Sequence, residues 1–286
     1  MLTTLKEVLA RAREGQYCVG AFDVVEDVMT RAVLETAERL RAPVILMLLE
    51  PDLETDNDNG WVYQAGLIKA AAKHHRIPIV MHLDHANDLG LILRALDWGF
   101  TSVMIDGSQL PFDENVALTK AAVDLAGPYR ASVEGELGHV GGMDLADKER
   151  AENVLTEPDE VKRFVEQTGV DALAVSIGTA HGVYQAEPAL DIERLKQLND
   201  ASPVPLALHG GSGTPNNQVR DAVRNGICKL NIYTDERLAL FRGVQKAAKI
   251  ERNDPLPRDV FGTIKGELAD MVEEKIKLLF SVGKAW

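Results

Sequence analysis

Three histidines, His85, His181 and His209, each stand at the end of a short apolar segment of the chain. Three imidazoles that leave a fourth position for water or substrate form a typical catalytic zinc site, and cobalt or manganese also fits such a set. One histidine alone in such a place is typical of a polar residue at the start of a loop. Three of the seven histidines in equivalent places favour a metal centre.

Acidic and amide side chains occupy the same kind of position. They end or directly follow apolar segments, and they are Asp23, Asp84, Asp106, Glu134, Glu136 and Asn231. Carboxylates move protons in general acid–base catalysis and also bind metal ions. Asp84 directly precedes His85, which favours a role in the chemistry. Its alternative role is that of a structural carboxylate that caps the next helix.

Two glycine-rich segments, 178–182 and 209–213, also follow apolar segments. Glycine lets backbone N–H groups approach an anion closely, and a helix N-terminus adds a favourable dipole. The second segment leads into Thr214-Pro215, a typical cap and first-turn pair of a helix. Glycine also makes ordinary turns, but beside two of the histidines these segments indicate a phosphate-binding site.

The elements that must position these residues follow a regular alternation of short β-branched segments with longer amphipathic ones. We predict eight strands, at 17–22, 43–49, 78–83, 102–105, 131–135, 172–177, 204–208 and 228–232. Helical patterns lie between them, at 28–41, 114–126, 158–167, 191–199 and 215–225. This order is typical of parallel βαβ units, and eight of them close a (β/α)8 barrel.

We therefore predict a single TIM-barrel domain over residues 1–286, with residues 236–286 forming the eighth barrel helix and extra C-terminal helices. An open doubly wound sheet is the alternative, but it would be favoured by a GxGxxG segment after an early strand, which the sequence lacks. In a barrel all strand C-termini lie on one face, where active sites of this fold are found. The candidate residues would then converge in space.

Composition excludes several classes of protein. The 286 residues carry 44 acidic and 31 basic side chains, a formal net charge of -13, and 45% are hydrophobic. This is an ordinary globular mixture, so disorder, collagen and a disulfide scaffold are excluded. The acidic balance disfavours nucleic acid as a partner. It leaves phosphate binding open, because backbone amides can hold an anion.

No apolar segment approaches the roughly 20 residues that span a bilayer, and the N-terminus has charges where a signal peptide has its apolar core. We therefore expect no membrane partner and a cytoplasmic location. Cys18 and Cys228 are then expected to be reduced, buried thiols.

Taken in order, the motifs resemble those of the class II, zinc-dependent ketose-bisphosphate aldolases, and the tagatose-bisphosphate branch is the most similar. The resemblance extends from about residue 5 to about residue 242 and thins in the tail. The matching segments are 82–86, 99–108, 110–115, 133–138, 169–171, 177–182, 208–213 and 229–232.

The resemblance implies reversible retro-aldol cleavage of a ketose 1-phosphate or bisphosphate to dihydroxyacetone phosphate (DHAP) and an aldehyde, through a zinc-stabilised enediolate. It also implies a homodimer or homotetramer. It implies that His85, His181 and His209 are zinc ligands and that Asp106 and Glu136 hold a second divalent position. It implies that Asp84 is the acid/base and that the Asn231 amide orients the enediolate. The implied phosphate site, with a monovalent cation nearby, consists of Gly182, Gly210, Gly211, Ser212 and Thr234.

Four positions depart from the family pattern, and they cluster around the aldehyde half of the substrate. Asp23 stands where many members have Asn, and Leu49 lies where a small polar residue is usual. Asp144 replaces the usual Glu that moves the C3 proton, and Arg258 is the nearest substitute for an Arg that grips a distal phosphate. We therefore expect DHAP chemistry with an aldehyde partner other than the usual triose phosphate.

Three alternatives remain open at this point. One is an ordinary fructose- or tagatose-bisphosphate aldolase whose altered loops have no consequence. Another is a non-catalytic aldolase-like subunit, although the three histidines and Asp84 are all present. The last is a Schiff-base aldolase, which needs a lysine at the C-terminal end of a strand, whereas Lys229 begins its strand.

Overall fold

The computed structural model describes residues 1–53, 60–142, 152–182, 184 and 187–286. In this part of the chain the strands form a closed parallel barrel in sequence order, with β8 paired to β1. The barrel confirms the predicted (β/α)8 architecture and excludes the open doubly wound sheet. The strands are β1 (Val19–Asp23), β2 (Val44–Leu49), β3 (Ile79–Ala86), β4 (Ser102–Ile105), β5 (Ser132–Leu137), β6 (Ala172–Val175), β7 (Leu206–Leu208) and β8 (Ile227–Ile232).

Helices connect the strands and surround the barrel. The five predicted helices correspond to α2, α6, α7, α8 and α9 below. A π-helical segment, Trp61–Ala65, precedes α4, and a 3-10 turn, Gly127–Tyr129, follows α6. The α-helices are α1 (Leu5–Gly15), α2 (Asp27–Leu40), α3 (Glu50–Leu53), α4 (Gly66–Ala71), α5 (Leu89–Asp97), α6 (Phe112–Ala126), α7 (Pro158–Thr168), α8 (Ile192–Ala201), α9 (Asn216–Arg224), α10 (Thr234–Ala247) and α11 (Pro257–Leu278).

The strand β2 shows why the barrel strands have continuous apolar sequences. All six of its residues are buried. Leu46 and Leu48 pack in the core between the barrel and the helices, whereas Ile45 and Met47 pack inside the barrel. Because both faces of the strand are covered, neither face selects polar residues. The side chains of this strand therefore alternate in direction, but its sequence does not alternate between apolar and polar residues.

The helix α1 closes the N-terminal end of the barrel. Its buried residues Leu5, Val8, Leu9 and Ala12 pack against side chains inside the barrel, including Ile45 of β2. Thr4 caps the helix, since its Oγ1 accepts a hydrogen bond from the Glu7 backbone N–H. This helix is absent from the prediction, although its cap and the apolar spacing after it are local signals of a helix.

The C-terminal segment folds as predicted, into the eighth barrel helix and one further helix. The helix α10 follows β8, and α11 packs against both α10 and α2. Lys275 of α11, nearly buried, pairs with Asp235 in the first turn of α10 at 2.5 Å. This ion pair joins the added helix to the end of α10 that lies at the barrel mouth.

Most strand ends differ from the prediction by one to three residues, and two of these differences have a clear physical reason. The strand β3 continues to Ala86, and its pairing with β4 shifts register between Leu83 and Ala86. His85 lies at this irregularity with φ of 45°, a backbone conformation that few non-glycine residues adopt. The strand β7 begins only at Leu206, because Ser202 Oγ bonds the backbone of Val204 and draws that segment into a turn.

Cys18 and Cys228 are free and buried, as predicted. Among the described residues no helix is both long and apolar enough to cross a membrane.

We expect Leu9→Ala to lower the free energy of unfolding by about 2–5 kcal/mol, because it leaves a cavity in the core closed by α1. Leu93→Ala is the matched control, since the Leu93 side chain is 39% exposed and its loss should cost less than about 1 kcal/mol. Denaturant titration of both variants measures the difference. Equal losses in the two variants would show that α1 contributes nothing to stability at this end of the barrel.

Candidate active site

The three predicted histidines converge at the C-terminal mouth of the barrel. His85 lies near the end of β3, and His181 and His209 follow β6 and β7. Their ring centroids lie 4.7 to 6.0 Å apart. One nitrogen from each ring lies within 4.8 Å of the others, which is a spacing that a single metal ion can bridge.

Two of these imidazoles are held by a carboxylate at the nitrogen that faces away from the other rings. His209 Nε2 lies 2.8 Å from Glu134 Oε1, and His85 Nδ1 lies 3.1 Å from Asp106 Oδ2. Because an ionised carboxylate only accepts hydrogen bonds, each of these nitrogens carries the hydrogen. The remaining nitrogens, His209 Nδ1 and His85 Nε2, face each other at 2.8 Å.

Two neutral imidazoles in these tautomers point their lone pairs at each other, so the arrangement requires a cation between them. A proton can supply the charge. Burial opposes it at His85, but the carboxylates of Asp84 and Asp106 outweigh burial and raise the His85 pKa well above its ordinary value. Burial and the Lys229 charge lower the pKa of His209, which remains a neutral acceptor.

A metal ion satisfies the same two lone pairs. Histidine ligands whose second nitrogen donates to a carboxylate are the common arrangement in zinc proteins. With His181 beside them, the site offers three nitrogen donors, a set that zinc prefers. The residues present therefore fit zinc.

The carboxylate that holds His209 is itself held by a lysine. Lys229 Nζ donates to Glu134 Oε1 at 2.9 Å, and the side chains of His209, Glu134 and Lys229 are all fully buried. Glu134 is among the predicted strand-end carboxylates without an assigned role, and its pairing with Lys229 is not predicted. The signal was alternation, because Glu134 shares a strand face with Glu136, as Lys229 does with Asn231.

Asp84 lies beside the histidines and is held by Asn231. The Asn231 amide nitrogen lies 3.1 Å from both carboxylate oxygens of Asp84 and 3.4 Å from His209 Nδ1. Asp84 is buried but lines the open cavity at the mouth. It does not cap the following helix, because Asp88 accepts the capping hydrogen bonds of α5. The alternative structural role for Asp84 is therefore wrong.

A second group of metal-binding type shares His85. Oxygens of Asp106 and Glu136 lie within 4.8 Å of His85 and of each other, as the resemblance implied. Burial, and then the charge of Asp106, raise the pKa of Glu136 to about 8. Glu136 Oε1 accepts a hydrogen bond from the Val140 backbone N–H at 3.1 Å, and Oε2 has no partner among the described residues.

Glycines build one wall of the cavity, from the loops after β6 and β7. Gly182 and Gly210 both have positive φ, at 82° and 66°. A side chain at Gly210 would lie 2.5 Å from the Ala180 carbonyl oxygen, so only glycine allows the two loops to approach so closely. A Cβ atom at Gly211 would lie 2.6 Å from the Leu230 side chain. Because these residues have no side chain, an anion in the cavity can approach their backbone.

Two hydroxyl groups fix this wall. Tyr184 OH accepts from the Ala180 N–H at 2.9 Å and donates to the Gly210 carbonyl at 2.8 Å, a contact that sequence reasoning missed. Ser212 Oγ accepts from the backbone N–H groups of Tyr233 and Asp235. Thr234 begins α10 and lines the same cavity, which places a helix N-terminus beside these loops.

The four departures from the family pattern have different outcomes. Asp23 and Leu49 line the same cavity as Asp84. Arg258 does not, because its side chain is 82% exposed at the start of α11 and lines a separate depression beside Arg31. Its location within this chain gives no support to a role in gripping substrate. Asp144 lies outside the described residues.

Comparison with known proteins covers nearly the whole chain. The family model described as "Fructose-bisphosphate aldolase class-II" matches residues 3–284. The chain is 37% identical to a fructose-bisphosphate aldolase of Giardia intestinalis, over 99% of this chain and 94% of that one. It is 38% identical to the D-tagatose-1,6-bisphosphate aldolase subunit GatY of Klebsiella oxytoca, over 95% of each.

Among solved structures, the YdjI aldolase from Escherichia coli K12 superposes with a TM-score of 0.88 at 32% identity, covering 100% of both chains. The chain therefore belongs to the class-II fructose-bisphosphate aldolase family, and its activity is that of an aldolase, a carbon–carbon lyase.

Proposed function

We propose that this aldolase cleaves the C3–C4 bond of a ketose 1-phosphate or ketose bisphosphate, releasing DHAP and an aldehyde, and that the reaction is reversible. The observation that carries the proposal is the pair of imidazole nitrogens that face each other at 2.8 Å beside Asp84. It supplies a place for a cation beside the cavity that contains an acid/base, Asp84, and the glycine-lined anion site, and His181 lines that cavity.

Zn2+ is the ion we propose for this place, held by His85, His181 and His209. When bound, it supplies Lewis-acid stabilisation of the negative charge that develops on the substrate as the carbon–carbon bond breaks. Asp106 and Glu136 would hold a second or alternative divalent position with His85, as their spacing allows. We also propose that a monovalent cation can bind beside the phosphate.

The phosphate of the DHAP half would bind to the wall formed by Gly182, Gly210, Gly211, Ser212 and Thr234. Ser212 Oγ already accepts two backbone hydrogen bonds, so its own O–H is available to donate. The N-terminus of α10 adds a favourable dipole. This wall therefore offers neutral donors, which explains how a chain of net charge -13 can bind a phosphate.

Asp84 would act as the acid/base at the C4 hydroxyl. In cleavage its carboxylate takes the hydroxyl proton, the C4–O bond becomes the aldehyde carbonyl, and the C3–C4 bonding pair moves to C3. The Asn231 amide holds both oxygens of Asp84 in place. Asn231 also lies near His209, where it can help to orient the substrate oxygens.

The C3 carbon must then gain a proton to give DHAP. We propose Asp144 for this step, although it lies outside the described residues. Its support is the chain just before it, because Gly142 pairs with the His181 backbone and the His181 N–H donates to the Gly141 carbonyl at 2.8 Å. Residues 141 and 142 therefore lie directly beside a proposed metal ligand.

For the aldehyde half, we propose a partner other than the usual triose phosphate, because Asp23 and Leu49 line the cavity and Arg258 does not. The second candidate is an ordinary fructose- or tagatose-bisphosphate aldolase, which the names of the relatives favour. A non-catalytic subunit is disfavoured by the complete set of histidines and Asp84. A Schiff-base mechanism is disfavoured because Lys229 is fully buried and paired with Glu134.

We also propose a homodimer or homotetramer in the cytoplasm. Large apolar side chains on α10 and α11, including Phe241 and Phe261, are exposed and would be covered by a second copy of the chain. We expect neither nucleic acid nor membrane among its partners.

Condensation of DHAP with a panel of phosphorylated and unphosphorylated aldehydes tests the identity of the aldehyde half. We expect an unphosphorylated or larger aldehyde to give a kcat/KM at least about tenfold above that of glyceraldehyde 3-phosphate, because the cavity wall is acidic and apolar. Consumption of DHAP measures the rate. Efficient cleavage of fructose or tagatose 1,6-bisphosphate would favour the ordinary aldolase instead.

Asp84→Asn should lower kcat about 10²–10⁴-fold, because the amide cannot accept the C4 hydroxyl proton. Bound zinc should remain, since Asp84 is not among the proposed metal ligands. Asp88→Asn is the matched control, because asparagine caps a helix as well as aspartate does. Coupled assay of DHAP release and metal analysis give the two readouts. A variant that keeps its zinc and its full rate would remove Asp84 from the mechanism.

Glu134→Gln should weaken zinc binding about 10–100-fold, because His209 loses the carboxylate that orients it and raises its basicity. Competition of the metal-free protein with a chelator measures the affinity, and zinc should restore activity to that protein. The substitution also leaves the Lys229 charge without its partner. The double variant Glu134→Gln/Lys229→Met removes this charge and should recover stability but not zinc affinity. Wild-type affinity in either folded variant would contradict the role of Glu134.

A further inference from the structure

Two loops at the mouth each carry a proposed zinc ligand next to a glycine of the phosphate wall. His181 precedes Gly182 in the β6 loop (178–182 and 184). His209 precedes Gly210 in the β7 loop (209–214). A shift of one loop against the other would change the distance between the two imidazoles and the shape of the wall together. The mouth therefore needs a contact that holds the two loops in place relative to each other.

The hydroxyl group of Tyr184 makes this contact. It accepts a hydrogen bond from the Ala180 backbone N–H at 2.9 Å and donates one to the Gly210 carbonyl at 2.8 Å. Ala180 directly precedes His181 in the chain. Gly210 directly follows His209. One oxygen atom thus connects the backbone beside two of the three proposed zinc ligands.

Glycine makes this contact both possible and necessary. A Cβ atom at Gly210 would lie 2.5 Å from the Ala180 carbonyl oxygen, so the two backbones touch there. A glycine backbone has more conformational freedom than that of any other residue, so Gly210 by itself does not fix the loop. The Tyr184 ring packs against the same turn, where a Cβ atom at Gly213 would lie 3.2 Å from its Cδ2 atom. Tyr184 therefore supplies the order that the glycines lack.

Strand pairing does not extend to this part of the mouth. The ladder between β6 and β7 ends with the pair Ala174 and Ala207. The described parts of the β6 loop and the β7 loop share no backbone–backbone hydrogen bond. Glu134 holds the His209 ring from the side of β5, not from the β6 loop. The Tyr184 hydroxyl therefore joins two loops that the barrel ladder leaves unpaired.

We propose that Tyr184 is a positioning residue that holds the β6 loop against the β7 loop through its hydroxyl group. It thereby sets the distance between the His181 and His209 rings and the shape of the glycine wall. It acts through the backbone that it holds, because Tyr184 itself does not line the cavity at the mouth. Zinc affinity and phosphate binding then depend on the same oxygen atom. The phosphate part of this inference rests on the proposed function, whereas the metal part does not depend on the substrate.

Tyr184→Phe removes the hydroxyl oxygen and keeps the ring. The Gly210 carbonyl retains a hydrogen bond from Thr214 Oγ1 at 3.3 Å, so the variant loses the link between the loops without leaving that carbonyl unpaired. We expect the zinc dissociation constant to rise about 10-fold or more, as for other changes beside metal ligands. Competition of the metal-free protein with a chelator measures it. The visible absorption of the cobalt-loaded protein should also change, because it reports the arrangement of the ligands.

At saturating zinc, the same variant should raise the KM for DHAP about 10-fold, because the glycine wall that binds the phosphate is displaced. The kcat should fall less than about threefold, since the acid/base Asp84 and its partner Asn231 come from β3 and β8. The KM for the aldehyde should not change. Consumption of DHAP with the aldehyde of highest kcat/KM gives these constants.

Tyr129→Phe is the matched control. The Tyr129 hydroxyl donates to Asp97 Oδ1 at 2.6 Å on the exposed surface, so zinc affinity and the KM for DHAP should stay at wild-type values. Wild-type zinc affinity or an unchanged KM for DHAP in folded Tyr184→Phe would overturn the role of Tyr184, and so would equal losses in Tyr129→Phe. Failure of the wild-type protein to consume DHAP with any aldehyde would overturn the proposed function, and zinc affinity would still test Tyr184.

Discussion

The organisation of the mouth depends on two imidazole nitrogens that face each other at 2.8 Å. Glu134 and Asp106 fix the tautomers of His209 and His85 from behind, so both lone pairs point into the gap. Without a cation between them this contact would be repulsive. The surrounding carboxylates and the buried lysine hold these rings in place, and Asp84 lies beside them through Asn231.

The electrostatics of the mouth explain the acidity of the chain in part. Several carboxyl groups are buried there, yet most have a compensating partner: Glu134 has Lys229 and His209, and Asp106 has His85. Glu136 and Glu236 instead have raised pKa values, so a proton replaces the missing partner. The net charge of -13 therefore overstates the negative charge that a substrate meets. Phosphate is left to backbone N–H groups, hydroxyls and a helix N-terminus.

The barrel and most of the polar residues at its mouth could be predicted from the sequence, because both leave local signals. Apolar β-branched segments mark strands covered on two faces, and their ends carry the reactive residues on one face of the barrel. Two elements differ from the prediction for different reasons. The prediction lacks helix α1, although its cap and apolar spacing are local signals. The predicted β3 ends before the irregularity that positions His85, because that irregularity depends on pairing with β4. Tyr184 was missed because only the folded loops bring it to Gly210.

Residue type and position along the chain predict that His85, His181, His209, Asp84 and Asn231 lie together at the mouth, since strand ends converge in any closed parallel barrel. Which atoms meet was decided by the tertiary structure alone. Glu134, His209 and Lys229 come from different strands, and their contact depends on strand register and on the exclusion of water, neither of which a linear pattern records. The same reason explains why Asp23 lines the cavity at the mouth and Arg258 does not. Asp23 is buried in the cavity wall, whereas Arg258, at the start of α11, is exposed to solvent.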